Sequence, residues 1–201
     1  MLDTRLRRLI DPPLDAIGRA LAGRGISADQ VTLAGFAAGI GAAVLIAAGL
    51  TLAGLALIGV SRLADGLDGA VARATSKTDR GGFLDIALDF AFYAAIPLAF
   101  AIADPARNAL AAACLLAAFL ANGAAFLAFA VMAERRKLTT SAQGQKSLYY
   151  VAGLAEGAET IAAFVAMCLW PAAFPGIAFI FAGVCALSAA ARLVLGWRVF
   201  A

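Results

Sequence analysis

The stretch DGLDGAVARATSKTDRGGFLDIALDF, residues 65–90, lies in a chain that is 63% hydrophobic, and four of its five aspartates are Asp65, Asp68, Asp85 and Asp89. The first two are three residues apart and the last two are four apart, so each pair shares one face of a helix. A short connection between two helices makes them antiparallel neighbours. The spacing therefore predicts two adjacent helices whose four carboxylates face one cavity.

The rest of the chain indicates a lipid environment. Of its 201 residues only 14% are charged, against roughly 25% in soluble domains. A membrane-spanning helix needs about 20 mainly apolar residues, and six stretches qualify: 31–49, 53–73, 81–103, 108–132, 147–169 and 173–196. We therefore expect an all-α integral membrane protein with six transmembrane helices, forming a single domain over residues 1–201 with the bundle at 31–196.

The first 28 residues have a different pattern. After two prolines, apolar residues repeat at helical spacing while charged residues fall elsewhere on the turn. The apolar positions are Leu14, Ile17, Leu21 and Ala22. This pattern predicts an amphipathic N-terminal helix that lies along the membrane surface.

The basic residues predict the orientation, because short cytoplasmic loops carry the excess of Lys and Arg. With a cytoplasmic N-terminus, one face holds Arg5, Arg7, Arg8, Arg19, Arg24, Lys77, Arg80, Arg135, Arg136, Lys137, Lys146 and Arg198. The opposite loops hold Arg107 alone. Both termini and the aspartate cluster are therefore expected at the cytoplasmic face of the inner, or plasma, membrane.

Charge and cysteine content exclude several functional classes. The net charge of +3 is too small to indicate a nucleic-acid binder. The chain has no histidine, and its three cysteines lie in apolar runs without the spacing of a ligand set. We expect these cysteines to be small core residues.

Carboxylates buried in a membrane protein pair with cations, become neutral or bind metal. Ligands that are all oxygen suit Mg²⁺, Mn²⁺ or Ca²⁺ rather than zinc, so we expect one divalent ion, or two. Gly69 and Ala72 leave space beside Asp65 for a phosphate-bearing ligand, whose phosphates Arg73 and Arg80 could meet.

Three other interpretations use the same residues. The aspartates could pair structurally with Arg62 and Arg73, or form the cation path of an ion-coupled transporter. A transporter would not require Ala72 and Arg73 at this spacing. A non-catalytic membrane scaffold would tolerate the loss of any single aspartate.

The segment resembles the signature of the CDP-alcohol phosphotransferase family, D-x-x-D-G-x-x-A-R followed by G-x-x-x-D-x-x-x-D. The matching residues are Asp65, Asp68, Gly69, Ala72, Arg73, Gly81, Asp85 and Asp89. Seven residues separate Arg73 from Gly81, where the family has about eight. The segment ISADQVTLAGF, residues 26–36, also resembles the family's first span, with Asp29 and Gln30 where an Asn is typical.

The resemblance implies six membrane helices, commonly a homodimer, and a role in phospholipid biosynthesis. The implied reaction moves a phosphate-linked group from a CDP-linked donor, normally CDP-diacylglycerol, to the hydroxyl of a small alcohol, and releases CMP. By correspondence Asp65, Asp68 and Asp85 hold Mg²⁺ or Mn²⁺ at the diphosphate, and Asp89 completes the metal site and acts as general base. Gly69, Ala72, Arg73 and Gly81 line the cytidine and diphosphate pocket.

The alcohol acceptor stays open at this stage. A phosphorylated acceptor, such as glycerol phosphate or inositol phosphate, needs further basic groups, for which Lys146 and Arg192 are the candidates. Glu156 and Glu159 share a helix face and suit an ammonium-bearing acceptor such as serine or choline, or they pair with Lys146 or Arg192. Phe90 directly follows Asp89, and Pro97 comes eight residues after Asp89. This pattern resembles bacterial phosphatidylserine and phosphatidylcholine synthases more than phosphatidylglycerophosphate synthases.

Overall fold

The computed structural model describes residues 2–137 and 155–201, with side chains described from residue 12 onward. Every regular element of these residues is helical, as the sequence predicts. The helices are α1 (Leu2–Gly23), α2 (Ala28–Ala47), α3 (Thr51–Ala74), α4 (Asp79–Ala103), α5 (Pro105–Arg135), α6 (Gly157–Leu169) and α7 (Phe174–Val199). A 3₁₀ turn at Pro171–Ala173 precedes α7.

Within residues 2–137 and 155–201, four helical segments are long and apolar enough to cross a membrane: α2, α4, α5 and Pro171–Val199. These correspond to four of the six predicted spans. Helix α3 is also long, but Arg62, Asp65 and Asp68 interrupt its apolar sequence. Helix α6 is shorter, and the first eight residues of the predicted fifth span lie outside the described part of the chain. The apolar helices indicate an integral membrane protein, while the count of six spans stays a prediction.

The segment Met1–Ala99 is one compact unit. Within it α2 and α3 are joined at Gly49, whose φ of +82° favours glycine. The two helices approach closely because small residues line their contact: a Cβ on Gly35 would lie 2.8 Å from Cβ of Ala64. The buried core of this unit includes Ile46, Ile58, Val71, Phe92 and Ile96.

Helix α1 packs against α3 in the same unit. A Cβ on Gly18 would lie 2.7 Å from Cβ of Ala70, and a Cβ on Gly66 would lie 2.9 Å from Cδ1 of Leu14. Ile17 is 48% exposed. One side of the predicted amphipathic helix α1 therefore contacts α3. The placement of α1 along a membrane surface stays a prediction.

Two short motifs fix where the helices of this unit begin. Ser27 caps α2 with a capping box: the Gln30 amide N–H donates to Ser27 Oγ at 3.3 Å, and the Ser27 N–H donates to Gln30 Oε1 at 2.9 Å. At the start of α4 the N–H of Gly81 donates to Oγ1 of Thr78 at 3.0 Å. Both helix starts are thus set by local sequence.

The segment Phe100–Ala201 is a second compact unit, in which α5 packs along α7. Its core is aromatic: Phe119 meets Phe164 and Phe181 edge-on, with ring centroids 6.3 and 6.0 Å apart. Cys168 and Cys185 are buried, Cys114 is partly buried, and all three are free. The prediction that the cysteines are core residues is confirmed for Cys168 and Cys185.

Candidate active site

Three carboxylates converge between α3 and α4. Asp65 and Asp68 come from α3 and Asp85 from α4, and each supplies one oxygen within 4.8 Å of the other two. They line a single cavity together with Asp89. The geometry follows from the sequence, because the i, i+3 pair on α3 faces α4 across the short connection at residues 75–78.

Helix α2 forms another wall of this cavity through Thr32, Gly35 and Phe36. Oγ1 of Thr32 donates to Oδ2 of Asp68 at 2.7 Å, and Asp68 is only 7% exposed. A hydroxyl donor fixes the orientation of a buried carboxylate. Thr32 was not predicted as a site residue, because its partner Asp68 is 36 residues away along the chain.

The fourth carboxylate has a cationic partner. Nη1 of Arg62 lies 2.8 Å from Oδ1 of Asp89 and 3.5 Å from Oδ1 of Asp65. Asp89 is outside the group of three whose oxygens converge. One of the alternatives from the sequence, pairing of the aspartates with Arg62, therefore applies to Asp89 and in part to Asp65.

Arg62 is itself held by its surroundings. Its guanidinium carbon lies 4.4 Å from the ring centroid of Phe92, a cation–π contact, and its Nη2 donates to Oγ of Ser61 at 3.2 Å. Gly39 of α2 admits the ring, since a Cβ there would lie 2.6 Å from Cδ2 of Phe92. Three helices thus fix the position of this arginine.

The residues around the three aspartates fit a divalent ion. Their donors are all carboxylate oxygens, which hard cations such as Mg²⁺ and Mn²⁺ prefer. Like charges this close repel one another strongly unless a cation lies between them, and Arg62 is nearer to Asp89 than to Asp65. Asp65, Asp68 and Asp85 are therefore the residues suited to hold a metal ion.

The predicted nucleotide-binding residues lie beyond this cavity, toward the end of α3 and the start of α4. Nη1 of Arg73 lies 3.4 Å from the position that a Cβ of Gly69 would occupy, while Ala72 is partly exposed. A Cβ on Gly81 would lie 3.1 Å from Oγ1 of Thr78. Gly69 and Arg73 are thus neighbours, and none of Gly69, Ala72, Arg73 and Gly81 is among the residues that line the cavity.

Both arginines at the α3–α4 connection form ion pairs with the N-terminal part of the chain. Nε and Nη2 of Arg73 donate to Oδ1 of Asp15 at 3.1 and 2.7 Å. Arg80 pairs with Asp29 at the start of α2. The sequence predicted neither pair, because each depends on how α1 and α2 pack.

The acceptor candidates belong to the second unit. Nη1 of Arg192 lies 3.4 Å from Oδ1 of Asn122, and its guanidinium carbon is 5.1 Å from the Phe126 ring centroid. Glu156 and Glu159 are exposed at the start of α6. Lys146 lies outside the described residues.

The family model for CDP-alcohol phosphatidyltransferase matches residues 25–197. The chain belongs to that family and is an enzyme of its class, a membrane transferase of phospholipid synthesis. The transporter interpretation is not favoured.

Relatives by sequence include inner membrane protein YnjF of Escherichia coli K12, which is 47% identical and matches 98% of this chain and 96% of its own length. Two archaetidylinositol phosphate synthases match a shorter part. The one from Pyrococcus horikoshii is 36% identical over 43% of this chain and 46% of its own. The one from Methanothermobacter thermautotrophicus is 42% identical over 42% and 40%.

The fold is also that of phosphatidylinositol phosphate synthase (PgsA1) of Mycobacterium tuberculosis. Its structure in complex with manganese and citrate has a TM-score of 0.66 at 23% identity, covering 92% of this chain and 88% of that one. Its structure with CDP-DAG bound has a TM-score of 0.62 at 22% identity, covering 92% and 93%. The likeness supports the all-helical fold.

Proposed function

We propose that this protein transfers a phosphatidyl group from CDP-diacylglycerol to the hydroxyl of a small alcohol and releases CMP. The observation that carries the proposal is the convergence of Asp65, Asp68 and Asp85 in the order of the family signature. A lipid donor suits the apolar helices, since acyl chains stay in hydrocarbon while the headgroup enters the polar cavity. The mycobacterial synthase of this fold is described with CDP-DAG bound.

Asp65, Asp68 and Asp85 would hold Mg²⁺ or Mn²⁺, and the mycobacterial synthase was crystallised with manganese. A divalent ion, when bound, neutralises charge on the diphosphate and stabilises the departing CMP. Asp89 was predicted to complete this metal site. Its pair with Arg62 favours a site centred on the other three, and the number of ions stays part of the proposal.

Asp89 is the proposed general base. As the alcohol oxygen forms its bond to phosphorus, the bond from phosphorus to the CMP oxygen breaks, and the hydroxyl proton passes to the Asp89 carboxylate. Arg62 holds that carboxylate at the cavity wall through Oδ1, which leaves Oδ2 as the proton acceptor. Gly69, Ala72, Arg73 and Gly81 would contact the cytidine and diphosphate.

For the acceptor we propose a phosphorylated polyol of the inositol phosphate type. The two archaeal relatives are named for a lipid of that kind. Arginine can donate two hydrogen bonds to one phosphate, so we propose that Arg192 binds the phosphate of the acceptor. Lys146 would bind the same phosphate. Glu156 and Glu159 would instead favour serine or choline, and glycerol phosphate is the remaining alternative.

We also propose the cellular location and the membrane orientation of the protein. The Escherichia coli relative is named an inner membrane protein, and the distribution of Lys and Arg favours cytoplasmic termini and a cytoplasmic site. A single domain over residues 1–201 with six spans, and a homodimer, stay predictions from the family resemblance.

One assay tests the activity and the acceptor. Purified protein in detergent is incubated with CDP-diacylglycerol, Mn²⁺ and, separately, inositol phosphate, glycerol phosphate, serine or choline, and CMP is measured. We expect release of CMP that requires metal and is fastest with inositol phosphate. Asp85→Asn should abolish release, whereas Asp79→Asn, an exposed acid at the start of α4, should retain it. Absence of CMP with every acceptor would contradict the proposal.

A further inference from the structure

The N-terminal helix α1 reaches the end of α3 that carries the signature. Gly18 lies against Ala70, where a Cβ would come within 2.8 Å of the Ala70 carbonyl carbon. Ala70 directly follows Gly69 and lies three residues before Arg73, so this contact fixes α1 beside the predicted nucleotide-binding residues. Gly18 is buried and accepts no side chain without moving the helix.

Asp15, three residues before Gly18, shares its face of α1. Its Oδ1 accepts two hydrogen bonds from the same guanidinium, from Nε at 3.1 Å and from Nη2 at 2.7 Å. These two bonds leave the third nitrogen of Arg73, Nη1, on the side of Gly69, 3.4 Å from where a Cβ would be. One carboxylate thus sets the direction of the whole guanidinium plane.

We propose that Asp15 is a positioning residue for the nucleotide: it holds Arg73 so that Nη1 presents to the diphosphate over Gly69. The inference rests on the proposed function, because it assumes that Gly69 and Arg73 meet a cytidine diphosphate group. It gives α1 a second role, in which a helix predicted to anchor the chain at the membrane surface also orders the donor site.

The pair with Asp15 preorganises the Arg73 side chain for a ligand. A free arginine side chain has many rotamers, and ordering it costs binding energy each time a ligand arrives. A guanidinium that already donates two bonds to a fixed carboxylate needs no such ordering, and its planar fork keeps the remaining nitrogen in a set direction. Because the pair is partly exposed, with side chains 43% and 36% accessible, its contribution is moderate.

The test is the affinity for CDP measured by calorimetry in detergent with Mn²⁺, without turnover. We expect Asp15→Asn to weaken CDP binding about three- to tenfold, and Asp15→Glu to restore most of it. Asp79→Asn is the matched control, because it removes an exposed negative charge at the start of α4, and it should bind CDP as the wild type does. If the Asn variant disturbs the fold, Asp15→Ala replaces it in the binding measurement, because alanine favours a helix.

A second comparison separates positioning from simple anchoring of α1. In an Arg73→Ala background, Asp15→Asn should produce no further loss of CDP affinity, because its effect passes through Arg73. A further loss there, or wild-type affinity in Asp15→Asn alone, would overturn the inference. Failure of the wild type to bind CDP at all would instead contradict the proposed function.

Discussion

Nη1 of Arg62 lies 2.8 Å from Oδ1 of Asp89, while the other three aspartates of the cavity direct oxygens toward one another. The four carboxylates of the signature are therefore divided into a group of three suited to a metal ion and a fourth held by an internal cation. Under the proposed function, Asp89 would take up the proton of the alcohol while the other three aspartates would hold the ion.

The ion pair predicts a stability effect of Arg62. Arg62→Met removes the cation between Asp65 and Asp89, so the free energy of unfolding without metal should fall by about 1–3 kcal/mol, between the values for exposed and fully buried pairs. Thermal unfolding in detergent with EDTA measures this, and Mn²⁺ should recover part of the loss. Arg80→Met is the control, since Arg80 is 77% exposed in its pair with Asp29; an equal loss there would contradict the assignment.

Asp89→Asn should separate catalysis from binding. CMP release should fall by about 10²- to 10⁴-fold, the usual contribution of a general base, while binding of Mn²⁺ and CDP persists because Asp65, Asp68 and Asp85 are intact. Rates of CMP formation and calorimetry give the two quantities. Normal CMP release by this variant would remove Asp89 from the role of base.

Thr32 should affect metal binding although it carries no charge. Thr32→Val removes the donor to Oδ2 of Asp68, and loss of such a supporting hydrogen bond typically weakens metal affinity about 10- to 100-fold. Thr32→Ser keeps the hydroxyl and should retain the affinity. Titration with Mn²⁺ followed by electron paramagnetic resonance compares the two, and equal affinities would show that the hydroxyl is dispensable.

Two glycine substitutions test the support beneath Arg62. A Cβ at Gly39 would lie 2.6 Å from Cδ2 of Phe92, so Gly39→Ala should displace the ring and cost about 1–3 kcal/mol of stability. At Gly59 no heavy atom of the described chain, apart from its chain neighbours and the adjacent backbone of its own helix, lies within 4 Å of the added Cβ. Gly59→Ala should leave stability unchanged or raise it by about 0.5–1 kcal/mol. The melting temperatures of the two variants provide the comparison.

The local part of this site could be predicted from the sequence. The spacing of Asp65 and Asp68, a short connection and Asp85 were enough to predict convergence, because helical periodicity acts over a few residues. Segment lengths and apolar content similarly predicted four of the spans. The capping box at Ser27 and Gln30 was not predicted, although its signal is contained in four residues.

The long-range contacts could not be predicted in this way. Thr32 meets Asp68 and Asp15 meets Arg73 across 36 and 58 residues, and both depend on how helices pack. A partial signal existed in Gly35 and Gly39, whose four-residue spacing on α2 is typical of close helix contacts in membranes. That spacing indicates a packed face but not its partner, so it could not identify Phe92 or Arg62.

The placement of Arg62 on α3, one turn before Asp65, also bears on how the chain enters the membrane. In the predicted six-span arrangement α3 would partition into lipid with Asp65 and Asp68 during synthesis, at a cost that rises with each unneutralised charge. Because Arg62 is part of the same segment, a counter-charge accompanies the acids whether or not a metal ion is bound. Arg62 would therefore lower the free-energy cost of inserting the newly made helix into the membrane.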